Sequence, residues 1–251
     1  MIWLIGGTSN AIELALRITD KGLPVLATVT TRYGEMLFQY YGVEVRRGAL
    51  TLDDMAALIH EKSVSIIVDA SHPFAYVVSE NAITVAKQTG LPYLRFERET
   101  NEVSANAVYV DSYSDACQYL MDKPGNVLLT TGSKNLTDFA PLGADRLYPR
   151  VLPVPAGLEA CSKAGIAPSH ILAAIGPFST EFNVATIRQY LISYLVTKDS
   201  GYEGGFPEKL EAAEQAGITA VVIRRPALQY PAVYSGYNEI VEAISRNSLG
   251  E

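Results

Sequence analysis

Met1–Ala11, MIWLIGGTSNA, decides the fold. Met1 to Ile5 is an unbroken apolar run, the pattern of a strand buried on both faces of a parallel sheet. It passes directly into Gly6-Gly7-Thr8-Ser9-Asn10 and then into AIELALRITDKG. There Ile12, Leu14, Ala15, Leu16 and Ile18 recur at helical spacing before Gly22 ends the helix. Strand, glycine turn and helix in succession put backbone N–H groups and a helix N-terminus at the carboxyl edge of a central strand. That arrangement favours a phosphate. Laid on the G-x-G-x-x-G dinucleotide fingerprint, Gly6 matches, Thr8 stands for the second glycine and Ala11 for the third. The turn alone fits a dinucleotide site and a tight βα turn of another α/β protein equally well.

The next strand, LPVLATVT (Leu23 to Thr30), runs into Thr30-Thr31-Arg32. In a dinucleotide fold an acidic residue here would take the ribose hydroxyls of NAD. Two hydroxyls and an arginine stand instead, which suits the 2′-phosphate of NADPH; a solvated loop arginine is the plain alternative. Thr51 to Asp54 reads as a capping box that opens the helix Met55 to Lys62, with His60 a surface residue near its end. VSIIVD (Val64 to Asp69) is a fourth strand, followed by Ala70-Ser71-His72-Pro73-Phe74-Ala75, with Pro73 placed as the first residue of the next helix. In a doubly wound sheet of order 3-2-1-4-5 this loop faces Gly6–Ala11 across the switch point, which brings Ser71, His72, Pro73 and Phe74 to the cofactor.

A fifth strand, Leu91 to Phe96, closes the first unit, and the polar stretch Glu97 to Asn106 reads as a link. The chain thus divides at about residue 100. Residues 1–100 form a dinucleotide-binding domain and 101–251 a second, substrate-binding α/β domain. The second half carries strands ending in Thr131-Gly132-Ser133-Lys134, in Gly176-Pro177-Phe178 and in Lys198-Asp199-Ser200-Gly201. The halves echo each other in Pro-Phe at a helix start and in a helix-ending glycine before a strand that runs into arginine. The expected fold is α/β, two Rossmann-like parallel-sheet lobes with a cleft between them.

The bulk composition narrows the function classes. With 251 residues, 48% hydrophobic content and a formal net charge of −7, the chain is an ordinary globular protein without the basic face of a nucleic-acid binder. No apolar run approaches the roughly 20 residues of a membrane span. The first strand begins at the N-terminus with no basic leader ahead of it, which predicts a cytoplasmic protein; a monomer or small homo-oligomer is expected. Cys117 and Cys161 and three scattered histidines lack metal-ligand spacing, so no metal is expected.

GGTSNA, DASHPFA followed by Ser79-Glu80-Asn81-Ala82, TTGSKNL, RVLP (Arg150 to Pro153), GPFSTEFN, LVTKDSG and the close of IRRP come in one order over nearly the whole chain. In that set the chain resembles the precorrin-6A reductases of cobalamin biosynthesis. It departs at Asn10, where the family is expected to carry glutamate, and at Tyr202-Glu203, where a further glycine is usual. The resemblance implies hydride transfer from a nicotinamide cofactor, NADPH with NADH as the alternative, to a polycarboxylate tetrapyrrole. The loops read above then give Gly6, Gly7, Thr8, Ser9, Asn10, Thr30, Thr31, Arg32, Ser71, His72, Pro73 and Phe74 to the cofactor. The polycarboxylate needs convergent cations and backbone donors. Thr131, Gly132, Ser133, Lys134, Arg150, Gly176, Pro177, Phe178, Lys198, Ser200, Gly201, Arg224 and Arg225 supply them, at least one of the cations being expected to be only a solvated charge. Lys198, His72 and Tyr202 are the candidate proton donors. A non-catalytic NADP(H) sensor and a two-lobed transferase are the competing readings.

Overall fold

The computed structural model describes residues 1–98, 107–201 and 204–249. The chain folds into two compact units.

In the first unit the elements are β1 (Ile2–Ile5), α1 (Ser9–Thr19), β2 (Val25–Val29), α2 (Arg32–Tyr40), β3 (Glu44–Arg47) and α3 (Leu52–Glu61). They continue with β4 (Ile66–Asp69), α4 (Tyr76–Thr89) and β5 (Tyr93–Phe96). The apolar run of β1 has its reason in the packing. Ile2 and Leu4 face Leu14, Ala15 and Ile18 of α1, while Trp3 and Ile5 face Met55 and Leu58 of α3 and Ala82 and Ala86 of α4. A strand with a residue period of two and helices on both sides has no position left for a polar side chain. At α3 the expected capping box is present, with Thr51 Oγ1 accepting from the Asp54 N–H and the Asp54 carboxylate accepting from the Thr51 N–H.

The second unit holds β6 (Ala107–Val110), α5 (Tyr113–Leu120), β7 (Asn126–Leu129), β8 (Leu147–Val151), α6 (Pro155–Lys163) and β9 (Leu172–Ala173). Then follow α7 (Thr180–Gln189), β10 (Ile192–Lys198), α8 (Phe206–Gln215) and β11 (Thr219–Ile223). Leu128, Leu195, Ala220 and Val222 of the sheet pack on Val184 and Ile187 of α7 and on Phe206, Leu210 and Ala213 of α8.

The chain then returns to the first unit, where β12 (Val233–Tyr234) pairs with β5 and α9 (Tyr237–Leu249) packs its Ile240, Val241 and Ile244 with Ile2 and Leu4. The domain boundary expected from sequence, 101–251, is corrected here: residues from Pro226 onward belong with the first unit.

Both sheets are parallel throughout their described pairings. The first has the order β12-β5-β4-β1-β2-β3, the expected 3-2-1-4-5 with β12 added at its edge. The second has the order β6-β11-β10-β7-β8-β9. Each contains a switch point where consecutive connections leave in opposite directions, between β1 and β4 in the first and between β7 and β10 in the second. Crevices for ligands open at the carboxyl ends of such strand pairs. Among the described residues no helix is long and apolar enough to cross a membrane, and no group of acidic, histidine and cysteine side chains could hold a metal ion.

Candidate functional site

At the first switch point the loops after β1 and β4 meet as expected. Thr8 caps α1, its hydroxyl accepting from the Ala11 N–H at 3.3 Å and donating to the Ala70 carbonyl at 3.0 Å. Gly6 has no room for a side chain, since a Cβ there would lie 3.0 Å from the Phe38 ring and 3.2 Å from Val29 Cγ1. Gly7 holds φ at +143°, which L side chains rarely adopt. The two glycines therefore do different work. Gly6→Ala is expected to cost about 1–3 kcal/mol through overpacking against Phe38, and Gly7→Ala about as much through backbone strain. Urea unfolding midpoints equal to that of the native chain would contradict both.

Gly7 and Ser9 are exposed at the mouth of the turn, so their N–H groups and the first turn of α1 are open to an anion. Asn10 is placed differently from its assignment. Its side chain is buried and its Oδ1 accepts from the Tyr237 hydroxyl at 2.6 Å, tying α1 to α9, so only its backbone faces the turn. At the end of β2, Thr30, Thr31 and Arg32 are exposed. Thr31 caps α2 by accepting from the Gly34 N–H at 3.1 Å, and no described carboxylate forms an ion pair with Arg32.

Pro73 does not begin α4, which starts at Tyr76; the expected helix start is corrected by a turn in which the Ala75 N–H donates to the His72 carbonyl at 2.7 Å. His72 Nδ1 accepts from the Phe74 N–H at 3.2 Å, which leaves the ring proton on Nε2. Ser71 is buried, its N–H donating to Asp69 and its hydroxyl accepting from Arg95.

The second switch point gathers cations. Lys134 lies in the loop after β7, Arg150 on β8 and Lys198 at the end of β10. Arg150 is buried, donates from Nη1 to Asn183 Oδ1 at 2.7 Å, and lies 4.2 Å from the centroid of the Phe178 ring. Asn183, fully buried on α7, is held in turn by its amide donating to the Ser179 carbonyl at 2.9 Å. Sequence reasoning missed Asn183, and it missed Lys209. That lysine is buried on α8 and donates from Nζ to the Gly204 carbonyl at 2.5 Å. A signal existed: Lys209 sits in the apolar face of its helix, between Phe206 and Leu210, where a charge is costly.

Burial, and then the charges of Arg150 and Lys198, push the Lys209 ammonium down to about 7. Burial and the charge of Lys134 also lower Lys198. Arg150 is lowered by burial to about 10. The two lysines are depressed because like charges are packed together out of water. The Thr131 hydroxyl, in the loop after β7, is buried with no hydrogen-bond partner among the described residues. Like charges held together away from water and an unsatisfied hydroxyl fit an anionic ligand with several acceptor groups.

The remaining expected residues sort plainly. The peptide between Gly176 and Pro177 is cis and both residues are exposed, with Phe178 stacked on Phe182 at 4.8 Å. Ser200 and Gly201 follow Asp199 after β10, and Gly132 and Ser133 lie partly buried after β7. Arg225 braces the loop after β10, donating from Nε to the Asp199 carbonyl at 3.1 Å. Arg224 is not brought into the cluster: it is half exposed, pairs with Asp111 at 2.9 Å and lies against the Tyr109 ring. Tyr202 lies outside the described residues.

A glycine turn on one parallel sheet and a cluster of Arg150, Lys198 and Lys209 on the other mark a two-unit Rossmann-like α/β protein. Comparison with known proteins gives that class a family. Residues 1–245 match the family described as precorrin-6x reductase CbiJ/CobK, and the chain belongs to that family. It is 41% identical over 249 residues to a cobalt-precorrin-6A reductase of Priestia megaterium, covering 97% of this chain and 98% of that one. A cobalt-precorrin-6A reductase of Methanocaldococcus jannaschii is 35% identical over 246 residues, covering 96% and 97%. A solved structure of CobK precorrin-6A reductase superposes with a TM-score of 0.82 at 24% identity over 98% of this chain and 96% of that one, which shows the shared fold. The chain is therefore an oxidoreductase that reduces the precorrin-6A macrocycle in cobalamin biosynthesis, neither a sensor nor a transferase.

Proposed function

We propose that the first unit holds NADPH, that the second holds the carboxylates of the macrocycle, and that the macrocycle carries cobalt. The cluster of buried Arg150 and Lys209 with half-buried Lys198 is the observation that carries the division of labour. A tetrapyrrole bearing acetate and propionate groups offers several carboxylates to such a cluster, with Arg150 giving the planar fork suited to one of them. Cobalt is proposed because relatives 33% to 41% identical to this chain are named for the cobalt form. Relatives named simply precorrin-6A reductase stand further off, at 27% and 32%.

The nicotinamide supplies the hydride when bound. The residues of this chain position and screen it: Gly7, Ser9 and the first turn of α1 offer backbone N–H groups to its phosphates. Arg32, the first residue of α2 and without an ion-pair partner among the described residues, suits a 2′-phosphate. Hydride transfer itself needs no protein nucleophile, only placement and electrostatics. The accompanying proton comes from Lys198 Nζ in this reading, because burial and Lys134 hold its acidity above that of an ordinary lysine.

Anaerobic oxidation of NADPH and of NADH, followed at the nicotinamide absorbance with cobalt-precorrin-6A and with precorrin-6A, tests the reading. Turnover is expected with the cobalt form and NADPH. Turnover with the cobalt-free form alone would overturn the cobalt assignment. Arg32→Ala is expected to raise KM for NADPH about 10- to 100-fold, the roughly 1.5–3 kcal/mol of a charged hydrogen bond, and to leave NADH unchanged. Equal losses for the two cofactors would remove Arg32 from the phosphate.

A further inference from the structure

We propose that Asp69 is the positioning residue of the cofactor turn: its buried carboxylate fixes the loop 70–75, and through the Ala70 carbonyl it sets the hydroxyl of Thr8 that caps α1. The inference rests on the reading that the first unit holds the nicotinamide cofactor. Nothing in the sequence singled out Asp69, because an aspartate at a strand end looks like any solvated loop residue.

The geometry is closed on all sides. Asp69 ends β4 and is fully buried. Its carboxylate accepts from the Ser71 N–H at 2.9 Å, the Ser79 hydroxyl at 2.6 Å, the Tyr93 hydroxyl at 2.5 Å and Arg95 Nη1 at 2.9 Å. These donors come from the loop itself, from α4 and from β5. Arg95, also fully buried, bonds Ser71 Oγ at 3.2 Å and Glu97 at 2.9 Å. Tyr230, in the segment that returns to this unit, stacks parallel to Tyr93 with centroids 6.5 Å apart and lies 5.1 Å from the Arg95 guanidinium.

A carboxylate and a guanidinium buried together, with a second carboxylate at their edge, are a poor way to gain stability, since apolar residues of similar volume commonly do as well or better. What the arrangement supplies is direction. The Ser71 N–H on Asp69 and the Ala70 N–H on the Ile5 carbonyl, 3.0 Å, hold the Ala70 peptide from both sides. The Ala70 carbonyl then receives the Thr8 hydroxyl, whose oxygen accepts from the Ala11 N–H. Asp69 is sealed from solvent and saturated with donors, so it touches neither cofactor nor macrocycle. It acts through Thr8.

The test is a double-mutant cycle on NADPH affinity, measured by nicotinamide fluorescence with the full chain. Asp69→Asn and Thr8→Val are each expected to weaken NADPH about tenfold, with NADH weakened by the same factor. The double variant should be less than twofold worse than the poorer single one, and Thr8→Ser should restore binding. Additive losses, or an Asp69→Asn chain that binds NADPH as the native one does, would overturn the proposal. If Thr8→Val leaves NADPH affinity untouched in the native background, the reading of the first unit as the cofactor site fails instead. Should Asp69→Asn not fold, Tyr93→Phe and Ser79→Ala each remove one donor. Each is expected to weaken NADPH two- to threefold, beyond the effect of Ile83→Val, a buried change on α4 outside the network. No difference from Ile83→Val rejects the role.

Discussion

Arg150→Met is expected to lower kcat/KM for the macrocycle by about 30-fold to several thousand-fold, while the dissociation constant of NADPH stays within twofold of native. The size follows from what the side chain does. In the proposed complex Arg150, buried with Asn183 on one side and the Phe178 ring on the other, pairs with a carboxylate of the macrocycle. Truncating one partner of such a buried, hydrogen-bonded charge pair costs about 2–5 kcal/mol. Methionine fills the volume but leaves Asn183 Oδ1 without its donor. The loss should fall mainly on KM, because a contact made alike in ground and transition states binds without accelerating the step. Arg150→Lys is the sharper comparison. It keeps the charge yet gives up the planar fork and the stack on Phe178, and it should recover less than tenfold of the loss. Steady-state kinetics at saturating NADPH separate the outcomes. Full recovery by lysine would show that charge alone is used, and an equal loss of NADPH affinity would place Arg150 outside a macrocycle site.

How much of this was legible in the sequence depended on whether a feature is local. The first switch point was readable because strand, turn and helix follow one another in eleven residues, and the parallel order then put the loop after β4 beside the loop after β1. The contact between Thr8 and Ala70 realises that expectation. Pro73 misled because its ring suits a first helical residue equally well as the turn it occupies. β6 and β12 were missed for a different reason. Each is an edge strand that gains its conformation from a neighbour distant in sequence, Ala107 against Ala220 and Val233 against Arg95; β12 has only two residues, and β6 stands directly after the polar stretch read as a link. The return of residues beyond Pro226 to the first unit is a tertiary fact of the same kind. In the second unit Lys134, Arg150 and Lys198 were expected from loop position, and they lie close enough for their charges to act on one another or on Lys209. Arg224 shared the same sequence setting and turned out to pair with Asp111. Lys209 and Asn183 needed the packing of α7 on α8 before their burial could be known.

Lys209 gives the second large effect, and its sign is opposite for stability and for binding. Its amine lies near 7 in the folded chain and near 10.4 when unfolded. Between those values the unfolded chain holds more protons, so stability rises with pH from about 7 toward 10; below about 7 both states are protonated and the full cost of burying the charge is present. Lys209→Met removes that cost, and the ligand-free protein at pH 7 should gain about 1–4 kcal/mol, with a flatter pH dependence of the urea midpoint. Binding runs the other way. A carboxylate beside Nζ raises the amine again, so the complex takes up as much as one proton, and native affinity for cobalt-precorrin-6A falls by up to tenfold per pH unit above about 7. Calorimetric titrations at pH 8 in two buffers of different ionisation enthalpy count that proton directly. The native chain should show uptake and Lys209→Met much less, together with weaker binding at pH 7. Equal proton counts in the two chains would mean that no carboxylate of the macrocycle reaches Lys209, and that its buried amine serves only to hold the Gly204 carbonyl.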